Sequence, residues 1–274
     1  MFFAILISLA RCHCDPERRG NPVLNLVIRS IMQTERIKQL NAKANSLDAA
    51  GIINLGLNEF ASKLSFATSL GEEDQVITDM ISKTASGIQI FTLDTGRLFA
   101  ESYELLAKNQ KKYSKLNFKI YYPDTKRVEE MVQAKGINLF YESVENRKLC
   151  CQVRKVEPLQ RALSNVDAWM VGLRRDQSVT RGTLEPVEWD EPNKKIKFNP
   201  LYNWSLDQVR DYIKKNNVDI NPLHAQGFVS IGCVPCTRAI KPGEDIRAGR
   251  WWWEKPEQKE CGLHNNPKRR VARD

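Results

Sequence analysis

Apolar residues recur along this chain in two alternating rhythms. Short runs at Leu64–Phe66, Ile88–Leu93, Phe118–Tyr122 and Trp169–Leu173 carry the β-branched and aromatic residues of strands. Between them the spacing is helical. Val76, Ile77, Met80 and Ile81 share one face, and helices are expected over Leu98–Lys112 and Arg127–Lys135. Residues 32–60 read as helical and polar-amphipathic. Ser205-x-x-Gln208 is a capping box that opens a helix through Lys215. Strands alternating with helices of about ten or more residues predict βαβ units. The expected fold is therefore α/β, with a mostly parallel sheet flanked by helices. Beyond Asn221 the rhythm fades, broken by Pro222, Gly227, Gly232, Pro235, Pro242 and Gly243. One α/β domain over residues 32–221, followed by an irregular, mobile C-terminal segment over 222–274, is the expected organisation.

Composition narrows the class. The chain has 274 residues, 42% hydrophobic and 27% charged, which suits one or two globular domains and excludes a collagen-like, mucin-like or wholly disordered chain. No apolar run reaches the roughly 18–20 residues of a membrane-spanning helix. The opening MFFAILISLA lacks the basic flank and small-residue cleavage site of a secretory signal. Residues 1–31 are expected to be an extension with Met32 as the true start, and Cys12-His13-Cys14 lacks a partner motif for metal. Lys+Arg 42 against Asp+Glu 33 gives a net charge of +9. That surplus points to an anionic partner, whether nucleic acid, membrane surface or phosphorylated small molecule, or else to a solvated basic surface.

The candidate chemistry lies in loops and cysteines. Ser69-Leu70-Gly71-Glu72-Glu73-Asp74 follows the first strand and opens a helix, where free N–H groups attract phosphate. Ser69 offers a hydroxyl and Gly71 lets backbone approach closely, though the loop is no Walker A sequence. Asp94-Thr95-Gly96 ends the next strand on the same sheet edge; the plain alternative is a helix cap and turn. Seven cysteines fall at positions 12, 14, 150, 151, 233, 236 and 261. A tandem pair, a C-x-x-C and a late single cysteine do not make a disulfide framework. They suit metal or cluster ligation plus a reactive thiol in a reducing compartment. Cys150, Cys151, Cys233 and Cys236 could hold zinc or an iron–sulfur cluster, or remain buried thiols. Adjacent cysteines diverge on a regular backbone, which suits a cluster with separate metal corners better than one ion. Lys259 and His264 near Cys261 would raise its thiolate fraction; an incidental thiol is the alternative. Arg174, Arg175 and Arg181 after the fourth strand, Arg247 and Arg250 before Trp251, and Lys155 are candidate anion ligands. For any one of them a solvated surface role is the alternative.

Taken in order, these motifs resemble the thioredoxin-dependent adenylyl-sulfate reductases of sulfate assimilation, within the wider adenylyl-sulfate/phosphoadenylyl-sulfate reductase family. The resemblance runs from about Met32 to His264, with Lys259-Glu260-Cys261-Gly262-Leu263-His264 its most specific element. It implies a fold of the PP-loop, adenine-nucleotide alpha-hydrolase type. It implies a [4Fe-4S] cluster on Cys150, Cys151, Cys233 and Cys236, and hence adenylyl sulfate as substrate. Cys261 would be the catalytic nucleophile. The resemblance places Lys155, Arg247, Arg250 and His264 at the phosphosulfate, and the Ser69–Asp74 loop, Asp94–Gly96 and Arg174–Arg181 at the nucleotide. The implied partners are adenylyl sulfate and reduced thioredoxin, in the cytoplasm, with no nucleic acid, no membrane and a homo-oligomer left open. Three alternatives stand beside it: a cluster enzyme using the 3′-phosphorylated nucleotide, a PP-loop sulfur transferase acting on tRNA, and a cysteine-ligated nucleic-acid module using Trp251–Trp253 and Lys268-Arg269-Arg270.

Overall fold

The computed structural model describes residues 22–84, 87–177 and 183–255. The chain divides into two compact units, Met1–Gln39 and Leu40–Asp274. The described part of the first is helical. Helix α1 spans Pro22–Ala44, so position 32 falls inside a helix. The stretch 32–60, expected to be helical, is two helices, because Asp48 caps α2 (Ala49–Phe60) through the Gly51 N–H at 2.7 Å.

Six strands follow, interleaved with helices: β1 (Leu64–Ala67), α3 (Glu72–Ser82), β2 (Gln89–Leu93), α4 (Ala100–Lys112), β3 (Asn117–Tyr121), α5 (Thr125–Lys135), α6 (Val144–Cys151), α7 (Glu157–Leu163), β4 (Ala168–Met170), β5 (Val187–Asp190), β6 (Lys195–Phe198) and α8 (Leu206–Asn216). They form one sheet in the order β3-β2-β1-β4-β6-β5. All pairings are parallel except β5 with β6. The mostly parallel α/β sheet is the one the sequence predicts. The β5–β6 hairpin was not expected, and the fourth strand is shorter than Trp169–Leu173.

Burial explains the strand order. Leu64, Ser65 and Phe66 of β1 are all buried, the mark of a central strand covered on both faces. Phe66, Ile90, Phe91, Trp169, Met170 and Phe198 build the core around it. At the far edge, β5 would expose unpaired backbone. The Asn41 amide covers it, donating to the Val187 carbonyl at 2.9 Å and accepting from the Val187 N–H at 3.0 Å. At the opposite edge β3 exposes Asn117 and Lys119 and half-buries Phe118, Ile120 and Tyr121.

The topology also sets where a ligand can enter. From β1 the chain moves outward to β2 and β3, then returns to β4 on the other side of β1. The loops after β1 and β4 therefore diverge, leaving a crevice at the carboxyl ends of the strands. The capping box at Ser205 and Gln208 is present and opens α8. Helix α8 locks onto α3 through Asp79, which accepts from the Tyr212 hydroxyl at 2.8 Å and pairs with Lys83 at 2.7 Å.

Candidate active site

The first loop of the crevice is organised by a carboxylate. Asp74, in the first turn of α3, accepts the Ser69 N–H and the Ser69 hydroxyl, both at 2.6 Å. Its other oxygen accepts the Gly172 N–H at 3.1 Å, tying the β1 loop to the end of β4. Position 172 has to be glycine, since a Cβ there would stand 2.3 Å from Asp74 Oδ1. Burial pushes the Asp74 carboxyl up to about 6, against the opposing pull of its hydrogen bonds to Ser69 and Gly172. Ser69 and Gly71, read from the sequence as phosphate donors, thus lie in a loop whose Ser69 donors are turned to Asp74. Glu72 and Glu73 complete an acidic first turn that already offsets the helix dipole. Arg174 pairs with Glu73 at 2.8 Å, with side chains 5% and 15% exposed, and also reaches the Trp204 carbonyl. Its guanidinium holds the α3 terminus in place. Arg175 donates to the Leu184 carbonyl at 2.8 Å and stacks on Tyr202.

The second loop leads to the cysteines. Asp94 accepts the Gly96 N–H at 2.7 Å and the Tyr103 hydroxyl at 2.9 Å, a turn stapled by its own side chain. Gly96 sits at φ +72°, in the left-handed region. The Thr95 hydroxyl lies 3.2 Å from Cys233 Sγ, and the Thr95 carbonyl accepts from Arg154 Nη1 at 2.8 Å. The Arg97 carbonyl accepts the Val234 N–H at 2.8 Å.

Four cysteines line one small cavity of about 20 Å³. Cys150 and Cys151 end α6, where the chain widens into a π turn over Gln152–Val156. Lys155 stands in that turn and lines the same cavity. Cys233 and Cys236 flank a short 3₁₀ turn, closed by the Cys236 N–H donating to the Cys233 carbonyl at 2.9 Å. None of the four is in a disulfide. Burial pushes the Cys236 thiol up to about 12, helped by charge on Cys233, Cys151 and Cys150 and opposed by Arg250. Cys150 is raised as well, chiefly by burial and against Arg154. A cation entering the cavity would therefore displace protons from thiols.

The surroundings favour an anionic occupant. Arg154 and Arg250 bring positive charge to Cys150 and Cys236, Arg147 lines the cavity beside Cys151, and the Thr95 hydroxyl meets Cys233. Arg154 Nε, Arg250 Nε and Trp251 Nε1 are buried donors with no hydrogen-bond acceptor among the described residues. Leaving such donors unmatched costs roughly 1–3 kcal/mol each. Among the described residues, no three His, Cys, Asp or Glu side chains are arranged to hold a single metal ion.

Residues 63–239 match the family described as the phosphoadenosine phosphosulfate reductase domain. The chain belongs to this reductase family. The adenosine 5′-phosphosulfate reductase of Burkholderia cepacia is 48% identical over 226 residues, covering 82% of this chain and 89% of its own. That of Allochromatium vinosum is 52% identical over 199 residues, covering 73% and 77%. The crystal structure of phosphoadenylyl-sulfate reductase from Candida auris, a phosphate complex, aligns with a TM-score of 0.65 at 32% identity, covering 74% of this chain and 97% of that one. An FMN adenylyltransferase of Candida glabrata in complex with FAD and pyrophosphate, at TM-score 0.51 and 15% identity, covers 99% and 90% and shares the fold alone.

Within this reductase site the structure gathers Thr95, Lys155, Arg250 and the four cysteines. Arg250 stacks on Trp251 at 4.8 Å, over Gly232, where a Cβ would stand 2.4 Å from the guanidinium. The Arg247 N–H donates to Asp245 at 2.8 Å. Arg181, Cys261 and His264 lie outside the described residues. Sequence reasoning missed Arg147, Arg154 and Glu254, and read Trp251 only as a candidate for stacking on nucleic acid. A helical signal existed for the two arginines, which sit three residues before Cys150 and three after Cys151.

Asp74 yields a test. Its carboxyl titrates higher in the folded chain than unfolded, so its stabilising contribution is complete at low pH and lost as pH rises through about 6. Unfolding free energies of the wild type and Asp74→Asn should be compared from pH 4 to pH 7. The difference is predicted to move against the wild type by about 2 kcal/mol over that range. A pH-independent difference contradicts the assignment.

Proposed function

We propose that the chain reduces adenosine 5′-phosphosulfate to sulfite and AMP, with Cys261 as nucleophile and reduced thioredoxin as electron donor. The carrying observation is the cation-ringed four-cysteine site at the carboxyl edge of the sheet. Relatives named adenosine 5′-phosphosulfate reductase at about half identity support the substrate.

The reaction asks three things of the chain. The nucleotide has to be held at the carboxyl edge, where the Ser69–Asp74 and Asp94–Gly96 loops meet. The phosphosulfate has to be neutralised while a thiolate approaches it, which Lys155, Arg247, Arg250 and His264 would do. A nucleophile has to reach first the substrate and then a protein partner, which suits a cysteine near the chain terminus. The Cys261 thiolate attacks the sulfate sulfur; an S–S bond forms, and the bond from sulfur to the bridging oxygen breaks. AMP leaves with that electron pair, and Cys261 carries an S-sulfonate. A thiolate of reduced thioredoxin then attacks the Cys261 sulfur, and sulfite leaves with the S–S electron pair. The second thioredoxin thiol resolves the mixed disulfide, restoring Cys261 and leaving thioredoxin oxidised.

A [4Fe-4S] cluster fits the donor set on Cys150, Cys151, Cys233 and Cys236, and when bound it would supply a fixed anionic charge that orders the neighbouring cations. Arg147 and Arg154 would satisfy it at Cys151 and Cys150. Lys155, four residues past Cys151 in the π turn, would connect it to the substrate. Cytoplasmic residence fits an oxygen-sensitive cluster and thioredoxin. The likeness to a phosphoadenylyl-sulfate reductase, at 32% identity, supports a second reading in which the 3′-phosphorylated nucleotide is also accepted. Sulfite release from each nucleotide, measured side by side, decides between them.

Cys261→Ser is predicted to abolish sulfite release while nucleotide affinity and iron content stay at wild-type levels; retained turnover refutes the nucleophile. Cys233→Ser is predicted to lose iron and the visible absorption of anaerobically purified protein together with activity. An active, iron-free Cys233 variant would show that the thiols serve packing alone.

A further inference from the structure

Beside the four-cysteine site, at the start of the Cys261 segment, lies a buried ion pair. Arg147 on α6 holds Glu254 through two parallel hydrogen bonds, Nε to Oε1 at 2.8 Å and Nη2 to Oε2 at 2.7 Å. The two side chains are 1% and 2% exposed. The same guanidinium lies 4.7 Å over the Trp251 ring, and Arg147 lines the cavity beside Cys151. The turn containing Glu254 is fastened at its other end too. The Trp251 N–H donates to the Cys236 carbonyl at 3.2 Å, and the Glu254 N–H donates to the Trp251 carbonyl at 2.8 Å. Residues 251–254 are therefore tied to both cysteine motifs at once.

Two features argue that this pair supplies geometry more than stability. A fully buried ion pair is often no more stabilising than apolar residues of similar volume, because both charges lose their water. What a bidentate arginine–carboxylate pair adds is one fixed orientation. Trp251 also sits at φ +43°, a left-handed conformation that a tryptophan adopts only when its surroundings impose it. The turn is held against its own backbone preference. Trp251 packs in one apolar cluster with Cys150, Cys236, Phe140 and Val153.

We propose that the Arg147–Glu254 pair positions the catalytic tail: it fixes the root of the segment that bears Cys261 against the helix that bears Cys150 and Cys151. Cys261 follows Glu254 by seven residues, a reach of about 25 Å at most. Displacing the root displaces everything the tail can reach. Occupation of the four-cysteine site and delivery of the nucleophile then share one strut, Arg147. Glu254 is a positioning residue in this account and touches no reacting atom. The proposal rests on the reading of Cys261 as nucleophile.

The test uses the full chain purified anaerobically, as wild type, Glu254→Asp and Glu254→Gln. Glu254→Asp keeps the charge but shortens the arm by one methylene, so it supplies a folded comparison. Three quantities are read: the single-turnover rate of S-sulfonate formation on Cys261 from adenosine 5′-phosphosulfate without reductant, the affinity for AMP, and the iron content. S-sulfonation is predicted to slow roughly tenfold in Glu254→Asp and about 10²-fold in Glu254→Gln, with AMP affinity and iron within about twofold of wild type. In steady state kcat falls and KM for the nucleotide does not. Amide hydrogen exchange of the Arg250–Lys255 segment reads the anchor without any sulfur chemistry, and is predicted to accelerate about tenfold or more in both variants. Accelerated exchange together with a wild type that never gains an S-sulfonate would overturn the nucleophile reading and leave the anchor standing. Wild-type rates of both exchange and S-sulfonation in the variants would overturn the anchor. So would loss of iron or AMP affinity in step with the lost rate.

Discussion

Positive charge gathered around buried sulfur is the constraint on which this structure turns. Arg97, Arg147 and Arg154 line a small cavity together with Cys150, Cys151, Cys233 and Cys236, and Arg250 places its charge beside Cys236. Charges taken from water need an opposite charge or a hydrogen-bond acceptor. Glu254 answers only Arg147. The remaining buried donors, Arg154 Nε, Arg250 Nε and Trp251 Nε1, have no acceptor among the described residues, and burial raises the nearby Cys150 and Cys236 thiols. The loops that reach the cavity all serve this arrangement, from Thr95 at Cys233 to the π turn that carries Arg154 and Lys155.

The crevice depends on a different kind of economy. A parallel sheet with β1 between β2 and β4 opens at its carboxyl edge whatever the side chains are. Asp74 then sets the shape of the opening, binding the β1 loop to the end of β4 through Ser69 and Gly172. Much of the basic surplus is also structural. Arg174 secures the acidic first turn of α3, and Arg147 secures the turn that precedes the tail. A net charge of +9 is therefore a poor guide to a polyanionic partner here, because several of its cations point inward.

How much was legible in the sequence followed the range of the signal. Period-two and helical rhythms located β1, β2, β3, α3, α4 and α5 to within a few residues, and the Ser205 capping box located α8. The β5–β6 hairpin escaped, because Lys195-Ile196-Lys197 reads as a polar surface when Lys197 is in fact buried beside Glu188. Helices α6 and α7 escaped because the π turn between them breaks the 3.6-residue period. At the site, cysteine spacing exposed the four thiols. The partners that give them meaning were hidden by distance along the chain: Arg147 and Glu254 are 107 residues apart, and Arg174 and Glu73 are 101 apart. No local pattern encodes such pairs. Ser69 shows the converse, since its place after a strand suggested phosphate while its donors are engaged by a carboxylate five residues on.

One measurement bears most directly on the chemistry assigned to this fold. Anaerobically purified protein is mixed with adenosine 5′-phosphosulfate in the absence of any thiol reductant, and the peptide containing Cys261 is weighed. The account predicts a gain in mass equal to one SO₃ on that peptide, released as sulfite when reduced thioredoxin is added. An unmodified Cys261 peptide, under conditions where the nucleotide demonstrably binds, would contradict it.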